Sequence, residues 1–280
     1  GLDTAKIYAE WPGDSSHYYI TEGRYKNVFY KNGKEFYTYT FNYEDYKMYD
    51  DVEGQKIMAW RDASKGTESS EKLFSTNDTL INGQRCGKII AKSKNYTSIT
   101  YFSKELKFDT IYFTNHKVGD WGETVKLSNG GINMLSIISY PQYYHVNYAS
   151  KIVDKKLFKE DFKVKEKIIA PAIQALDSEI KMVSKREKTD KCIYTNLKVP
   201  ENKLPELLKY KEYVVGIKFL INENGQVELS EVDNNDEFGF GEEALRVFNK
   251  CSGTLKFEKP TLKGMKVKAV YYYPVWFTIQ

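Results

Sequence analysis

The sequence predicts an α+β protein in two parts. Residues 1–164 read as an antiparallel sheet that curls or half-closes into an open β-barrel. Residues 165–280 read as a smaller antiparallel sheet packed with helices. Three observations lead there. Between Arg24 and Phe162, short aromatic and apolar segments alternate with polar turns, and no long helical stretch interrupts them. The 23 Tyr, 15 Phe and 4 Trp give 15% aromatic residues, a composition that suits half-buried pleated surfaces. From Tyr213 onward, strand, turn, strand, helix and strand signals follow in order.

The first part opens on a hairpin. Arg24–Tyr30 and Glu35–Phe41 flank Lys31-Asn32-Gly33-Lys34, and Asn-Gly supplies the two positive φ angles of a type I′ turn. Further strands are expected at Asp45–Asp50, Gln55–Trp60, Gly87–Ala91, Ser98–Phe102, Thr110–Phe113, Ile132–Tyr140 and Tyr144–Tyr148. Lys151–Lys167 is dense in charge, which places the boundary near residue 165. A helix is expected next, because Pro171 suits a first turn and Ile173, Leu176, Ile180 and Val183 form one stripe. Lys181, Lys185, Arg186 and Lys188 sit favourably toward the negative end of its dipole. A second short helix is expected over Glu201–Lys209, limited by Pro205.

The remainder reads as a compact module. Tyr213–Ile221 puts Val215, Ile217, Phe219 and Ile221 on one face. Asn222–Gly225 turns the chain, and Gln226–Val232 returns with Val227 and Leu229 inward. The helix expected over Glu242–Lys250 aligns Ala244, Val247, Phe248 and Cys251 at i, i+3, i+4, i+7. A final strand runs from Lys266 to Ile279, apolar at Val267, Ala269, Tyr271, Val275, Phe277 and Ile279.

These residues resemble the TonB C-terminal domain. The run Val214-Val215-Gly216-Ile217-Lys218-Phe219-Leu220-Ile221 is followed by Asn224-Gly225-Gln226-Val227, then Gly241-Glu242-Glu243-Ala244-Leu245-Arg246-Val247, Pro260, Gly264 and Val267. The ending is Tyr273-Pro274-Val275-Trp276-Phe277. The family's Pro-x-Trp-x-Pro stretch is replaced by Cys251–Pro260 without the Trp, and residues 1–280 contain no proline-rich arm. The resemblance therefore implies partner recognition rather than energy transduction. In the first part, Thr79–Lys88, with Gly83, Cys86 and Gly87, followed by Tyr101–Leu106, resembles the core of GLPGLI-type envelope proteins. The counterpart of the namesake motif is Gly130-Gly131-Ile132-Asn133-Met134-Leu135. Both resemblances imply a periplasmic or outer-membrane-associated protein. The start at Gly1 rather than Met fits a removed targeting segment.

Other chemistry finds little support. The net charge of +4 is spread over interleaved Lys and Glu, which argues against a nucleic-acid partner. No apolar run is long enough to span a membrane as a helix. The three histidines, His17, His116 and His145, are scattered and lack metal-ligand spacing. Gly239-Phe240-Gly241 lacks the remaining parts of a phosphate loop and reads as a flexible lead into the helix. Asp233-Asn234-Asn235-Asp236-Glu237 is oxygen-rich but has neither the Gly nor the Glu of a calcium loop, and reads as a polar turn. Of the three cysteines, Cys86 reads as structural. Cys192 and Cys251 either pair in a disulfide or lie as two buried thiols.

The expected function is that of a non-enzymatic envelope adaptor with no catalytic, cofactor-binding or metal residues. Its partner is an envelope protein or peptide segment that pairs with the last strand, at Lys268, Ala269, Val270, Tyr271, Tyr272 and Tyr273. The alternative is a carrier of a lipid or other hydrophobic ligand, with the aromatic strands 24–41 and 132–148 lining a cavity. An enzyme with a pocket invisible in sequence is the third reading.

Overall fold

The computed structural model describes residues 13–66, 71–141, 144–198, 212–233 and 239–278. The chain divides into two compact units. One holds the residues up to Met48 together with Asp62–Val164, and the other holds Tyr49–Arg61 together with Lys165–Gln280. Residues 49–61 thus group with the second unit although they fall within the first 164 residues in sequence.

The first unit begins with β1 (Ser15–Thr21), β2 (Arg24–Lys31) and β3 (Lys34–Asn42), paired antiparallel in sequence order. Asn32 and Gly33 take φ of 52° and 73° at the β2–β3 turn, the left-handed pair that Asn-Gly tolerates best. β4 (Lys47–Val52) and β5 (Ile57–Asp62) then carry the chain through the second unit. The first unit resumes with β6 (Glu71–Ile81), β7 (Gln84–Lys92) and β8 (Thr97–Lys107). Helix α1 (Trp121–Ser128), β9 (Gly131–Ser139) and β10 (Tyr144–Tyr148) complete it. The last five strands form an antiparallel sheet in the order β10-β9-β8-β7-β6. No described sheet closes into a barrel.

Two local expectations fail in this unit. Ile111–Phe113 is a turn of 3-10 helix rather than a strand, with Phe113 fully buried. α1 interrupts the strand series. Gly119 and Asp120 lead into it with φ of 60° and 52°, and its eight residues show little of the apolar stripe that marks longer helices. The core joins Tyr25 and Phe41 to Phe113, Val125 and Ala63. Tyr25 stacks on Phe41 with ring centroids 5.2 Å apart, and its hydroxyl lies 2.7 Å from His116 Nε2.

The second unit adds β11 (Ile168–Pro171), which pairs parallel with β5. Helix α2 (Arg186–Asn196) follows, then β12 (Glu212–Ile221), β13 (Val227–Val232) and α3 (Phe240–Cys251). Two short strands, β14 (Thr261–Leu262) and β15 (Met265–Lys266), precede the long β16 (Ala269–Thr278). The three long strands form an antiparallel sheet in the order β13-β12-β16.

The helix expected from Pro171 to Val183 does not form. Ile173–Ala175 makes one 3-10 turn, and Leu176 is already extended at ψ 168°. The Asp177 carboxylate accepts the backbone N–H groups of Lys263 and Gly264, which holds the chain in an irregular path. Leu176 and Ile180 still reach the core, so the apolar spacing reported burial correctly and periodicity wrongly. The observed helix lies downstream in the charged run 186–196, where Thr189 and Ile193 are buried. The short helix expected over 201–209 lies outside the described residues, as do Asn234–Glu237 of the polar turn.

One face of the β12–β16 sheet packs on α3. Val215, Ile217, Phe219 and Ile221 meet Ala244, Val247, Phe248 and Cys251, together with Tyr273, Val275 and Phe277. Gly225 makes the β12–β13 turn at φ 79°. A Cβ there would lie 2.1 Å from the Phe257 carbonyl, so only glycine fits. Cys192 and Cys251 form a disulfide that ties α2 to α3, and Cys86 is a buried free thiol.

Candidate functional site: the outer edge of the last strand

β16 pairs with β12 along ten residues, from Ala269 opposite Ile221 to Thr278 opposite Glu212. On its other side, among the described residues, a single bridge occurs, where Ala172 runs parallel to Val270. The direction of each main-chain group follows from this bridge. The N–H of Ala172 donates to the Trp60 carbonyl, away from β16, so the groups facing Ala172's strand belong to Val270. Alternation then puts the outward row at Val270, Tyr272, Pro274, Trp276 and Thr278. The groups of Tyr271, Tyr273, Val275 and Phe277 turn toward β12. Pro274 agrees, because a proline fits a strand where its missing N–H would have faced outward.

The six residues singled out in the sequence are therefore not equivalent. Lys268 precedes the strand, and its ammonium pairs with Glu228 at 2.7 Å. Ala269 is buried, and the outward groups of Val270 are taken by the Ala172 bridge. Tyr271 packs its ring on Phe219 and Phe257, at 5.5 Å and 5.1 Å. Tyr273 is buried, donates its hydroxyl to the Asp190 carboxylate, and carries the Arg186 guanidinium over its ring. Burial, and then that hydrogen bond to Asp190, push its ionisation up. Tyr272 is the member of the six that has outward main-chain groups beyond the Ala172 bridge. Its phenol ionisation is raised, first by burial and then by the Asp233 and Asp50 carboxylates.

The sheet face that carries Tyr272 was not anticipated. Its cross-strand pairs run Leu220–Val270, Lys218–Tyr272, Gly216–Pro274 and Val214–Trp276. At one end Leu220 and Val270 pack under Ile57, Ala59, Ala170 and Ala172. In the middle stands Lys218, only 1% exposed. Its ammonium donates to Gln55 Oε1, to the Ile57 carbonyl at 2.9 Å and to the Glu231 carboxylate at 3.2 Å. Glu231 also accepts the N–H groups of Lys56 and Ile57, at 2.8 Å and 3.0 Å. The Gln55 amide donates to the carbonyls of Val232 and Asp233.

Three ammonium donors meet three acceptors, so Lys218 is a satisfied clamp on residues 55–57 rather than an exposed amine. Burial lowers its pKa against the pull of Glu231 and Asp233, and burial raises that of Asp233 against Lys218. The far end of this face is open, with Trp276 41% and Val214 37% exposed. The sequence signal for Lys218 was a charge inside an otherwise apolar strand. Its partners at 55–57 and 231 could not be read from spacing.

In the first unit, the aromatics of strands 24–41 meet different ends. Tyr25 and Phe41 are buried among Phe113, His116 and Trp121. Among the described residues, no three His, Cys, Asp or Glu side chains are grouped as metal donors. No described helix is long and apolar enough to cross a membrane.

No protein-family model and no curated protein matches the chain. Among solved structures it is similar to that of PNGF-II in space group P21, with a TM-score of 0.36 and 10% sequence identity. The match covers 75% of this chain and 40% of that chain. A likeness at that score carries no argument about fold or function.

Proposed function

We propose that the protein is a non-enzymatic adaptor of the bacterial cell envelope. Its second unit, laid out as in the TonB C-terminal domain, recognises an extended segment of a partner protein by strand pairing. The observation that supports this reading is the outer edge of β16, with outward main-chain groups from Tyr272 to Thr278 and a described neighbour at Val270 alone. The docking stretch is thereby shifted from Lys268–Tyr273 to Tyr272–Thr278. An added strand would meet donors at Tyr272 and Trp276, with a gap at Pro274, and would lay alternate side chains beside Trp276. Of the aromatics on which the carrier alternative draws, Tyr25 and Phe41 already serve as packing in the first unit's core.

The test compares Tyr272→Pro with Tyr272→Phe in the full chain, using capture from envelope extracts and mass spectrometry. Pro274 stands in the same outward row, so a second proline is compatible with the strand. The phenylalanine variant is expected to keep the specific partner and the proline variant to lose it. Retention of the same partner by both would sink strand pairing.

A further inference from the structure

The five-stranded sheet of the first unit has two faces of different character. One carries Ile89, Ala91, Phe102 and Met134, all buried. The other is given by the register. Val146 stands opposite Ile137, Ile137 opposite Ile99, Ile99 opposite Ile90, and Ile90 opposite Leu73. One unbroken row of branched aliphatic side chains crosses all five strands. Its ends are open to water, with Leu73 51% and Val146 43% exposed. Beside it on one side run Tyr148, Leu135, Tyr101 and Lys88, and on the other Tyr144, Ser139, Thr97, Lys92 and Glu71. Tyr144 and Tyr148 are 73% and 68% exposed. A continuous apolar row left in water marks a contact surface.

We propose that this face is the contact between two copies of the chain, related by a two-fold axis that runs along β8. Such an axis exchanges β10 with β6 and β9 with β7 while leaving each row on itself. Val146 then meets Leu73 of the second copy, Ile137 meets Ile90, and Ile99 meets its own equivalent. The Tyr144 hydroxyl falls over the Glu71 carboxylate. Lys88 lays its stem over Leu135, and Lys92 faces Ser139, so no like charges oppose each other.

The other two-fold compatible with face-to-face packing, along the aliphatic row, sets Lys88 over Lys92 and is disfavoured. Five strands about 4.8 Å apart and three rows of residues span about 24 by 20 Å. Two such faces remove roughly 1,000 Å² from water, where specific interfaces begin. A sandwich of this kind packs its sheets about 10 Å apart.

Sedimentation velocity on the full chain over a concentration series tests this. The mass should rise from that of one 32.6 kDa chain toward that of two. The double variant Leu73→Lys/Val146→Lys changes positions already in water, so the fold is kept. Its association should weaken by at least tenfold. With a thiol–thiol cross-linker long enough for sheets about 10 Å apart, Ile99→Cys on the axis should give a linked dimer, and Leu80→Cys, 70% exposed on β6 but outside the aliphatic row, should not. A chain that stays single at every concentration overturns the proposal, whether or not it adheres to anionic lipid vesicles. So does a double variant that associates like the parent, or cross-linking as strong from Leu80→Cys as from Ile99→Cys.

Discussion

The three-stranded sheet of the second unit and the five-stranded sheet of the first leave different things exposed. In the second unit, the Phe219 side is sealed by α3. Most of the opposite side is sealed by Ile57, Ala59, Ala170, Ala172 and the Lys218 clamp. What remains is mainly an edge, the outward row of β16. In the first unit one face is buried and the other keeps an aliphatic row in water. An edge recognises main chain and accepts many sequences, whereas a face recognises side chains and demands a complementary surface. On the proposed readings, one sheet captures a peptide along its edge and the other associates two copies face to face.

The strongest way to break this contrast is to truncate one residue on each sheet. Phe219 is fully buried between α3 and the strands, so Phe219→Ala should cost about 3–5 kcal/mol. Ile99 lies on the half-open face, so Ile99→Ala should cost the single chain about 1 kcal/mol. Urea unfolding at low protein concentration measures both. Equal costs would mean that the five-stranded sheet is covered on both sides.

Next comes the clamp. Lys218→Ala leaves the Gln55, Ile57 and Glu231 acceptors without their buried cation and should cost about 3 kcal/mol. Proteolysis between Tyr49 and Arg61 should also become faster in this variant. Lys218→Met should cost less, because it keeps the packed stem. If the two variants are equally stable, the packed stem contributes nothing and the whole cost is that of the lost ammonium.

The smallest effect concerns Asp233, whose pKa burial holds above the ordinary carboxylate value. The folded state keeps this proton over a pH range in which the unfolded chain has lost it. Stability from this group is therefore present at low pH and lost as pH rises through the folded pKa. Asp233→Asn should remove that slope, and unfolding curves at several pH values compare the two. An unchanged slope would exclude Asp233 as its source.

Much of the fold was legible because its signals are local. Asn32-Gly33 specifies its own turn, and the odd-numbered residues of 213–221 and the 244, 247, 248, 251 stripe specify which sides face each other. The failures have a common physical origin in contacts between residues distant in sequence. Ile57-Met58-Ala59-Trp60 is a continuous apolar run, readable as a buried strand, yet nothing local says that it pairs with Ile168–Pro171. The 173–183 stripe suggested a helix because burial was mistaken for periodicity, while Asp177 bonds across the chain to Lys263 and Gly264. At the candidate site, the identity of β16 was visible, but its usable window was not. That window depends on Ala172, nearly a hundred residues away, and on the strand alternation the bridge reveals.

Residue-resolved amide hydrogen exchange on the full chain measures the outward row most directly. The N–H groups of Tyr271, Tyr273, Val275 and Phe277 should exchange slowly, protected by β12. Those of Tyr272 and Trp276 should exchange far faster and become protected when the captured partner is added. Slow exchange at Tyr272 and Trp276 in the protein alone would contradict an available edge. So would partner binding that leaves both amides fast.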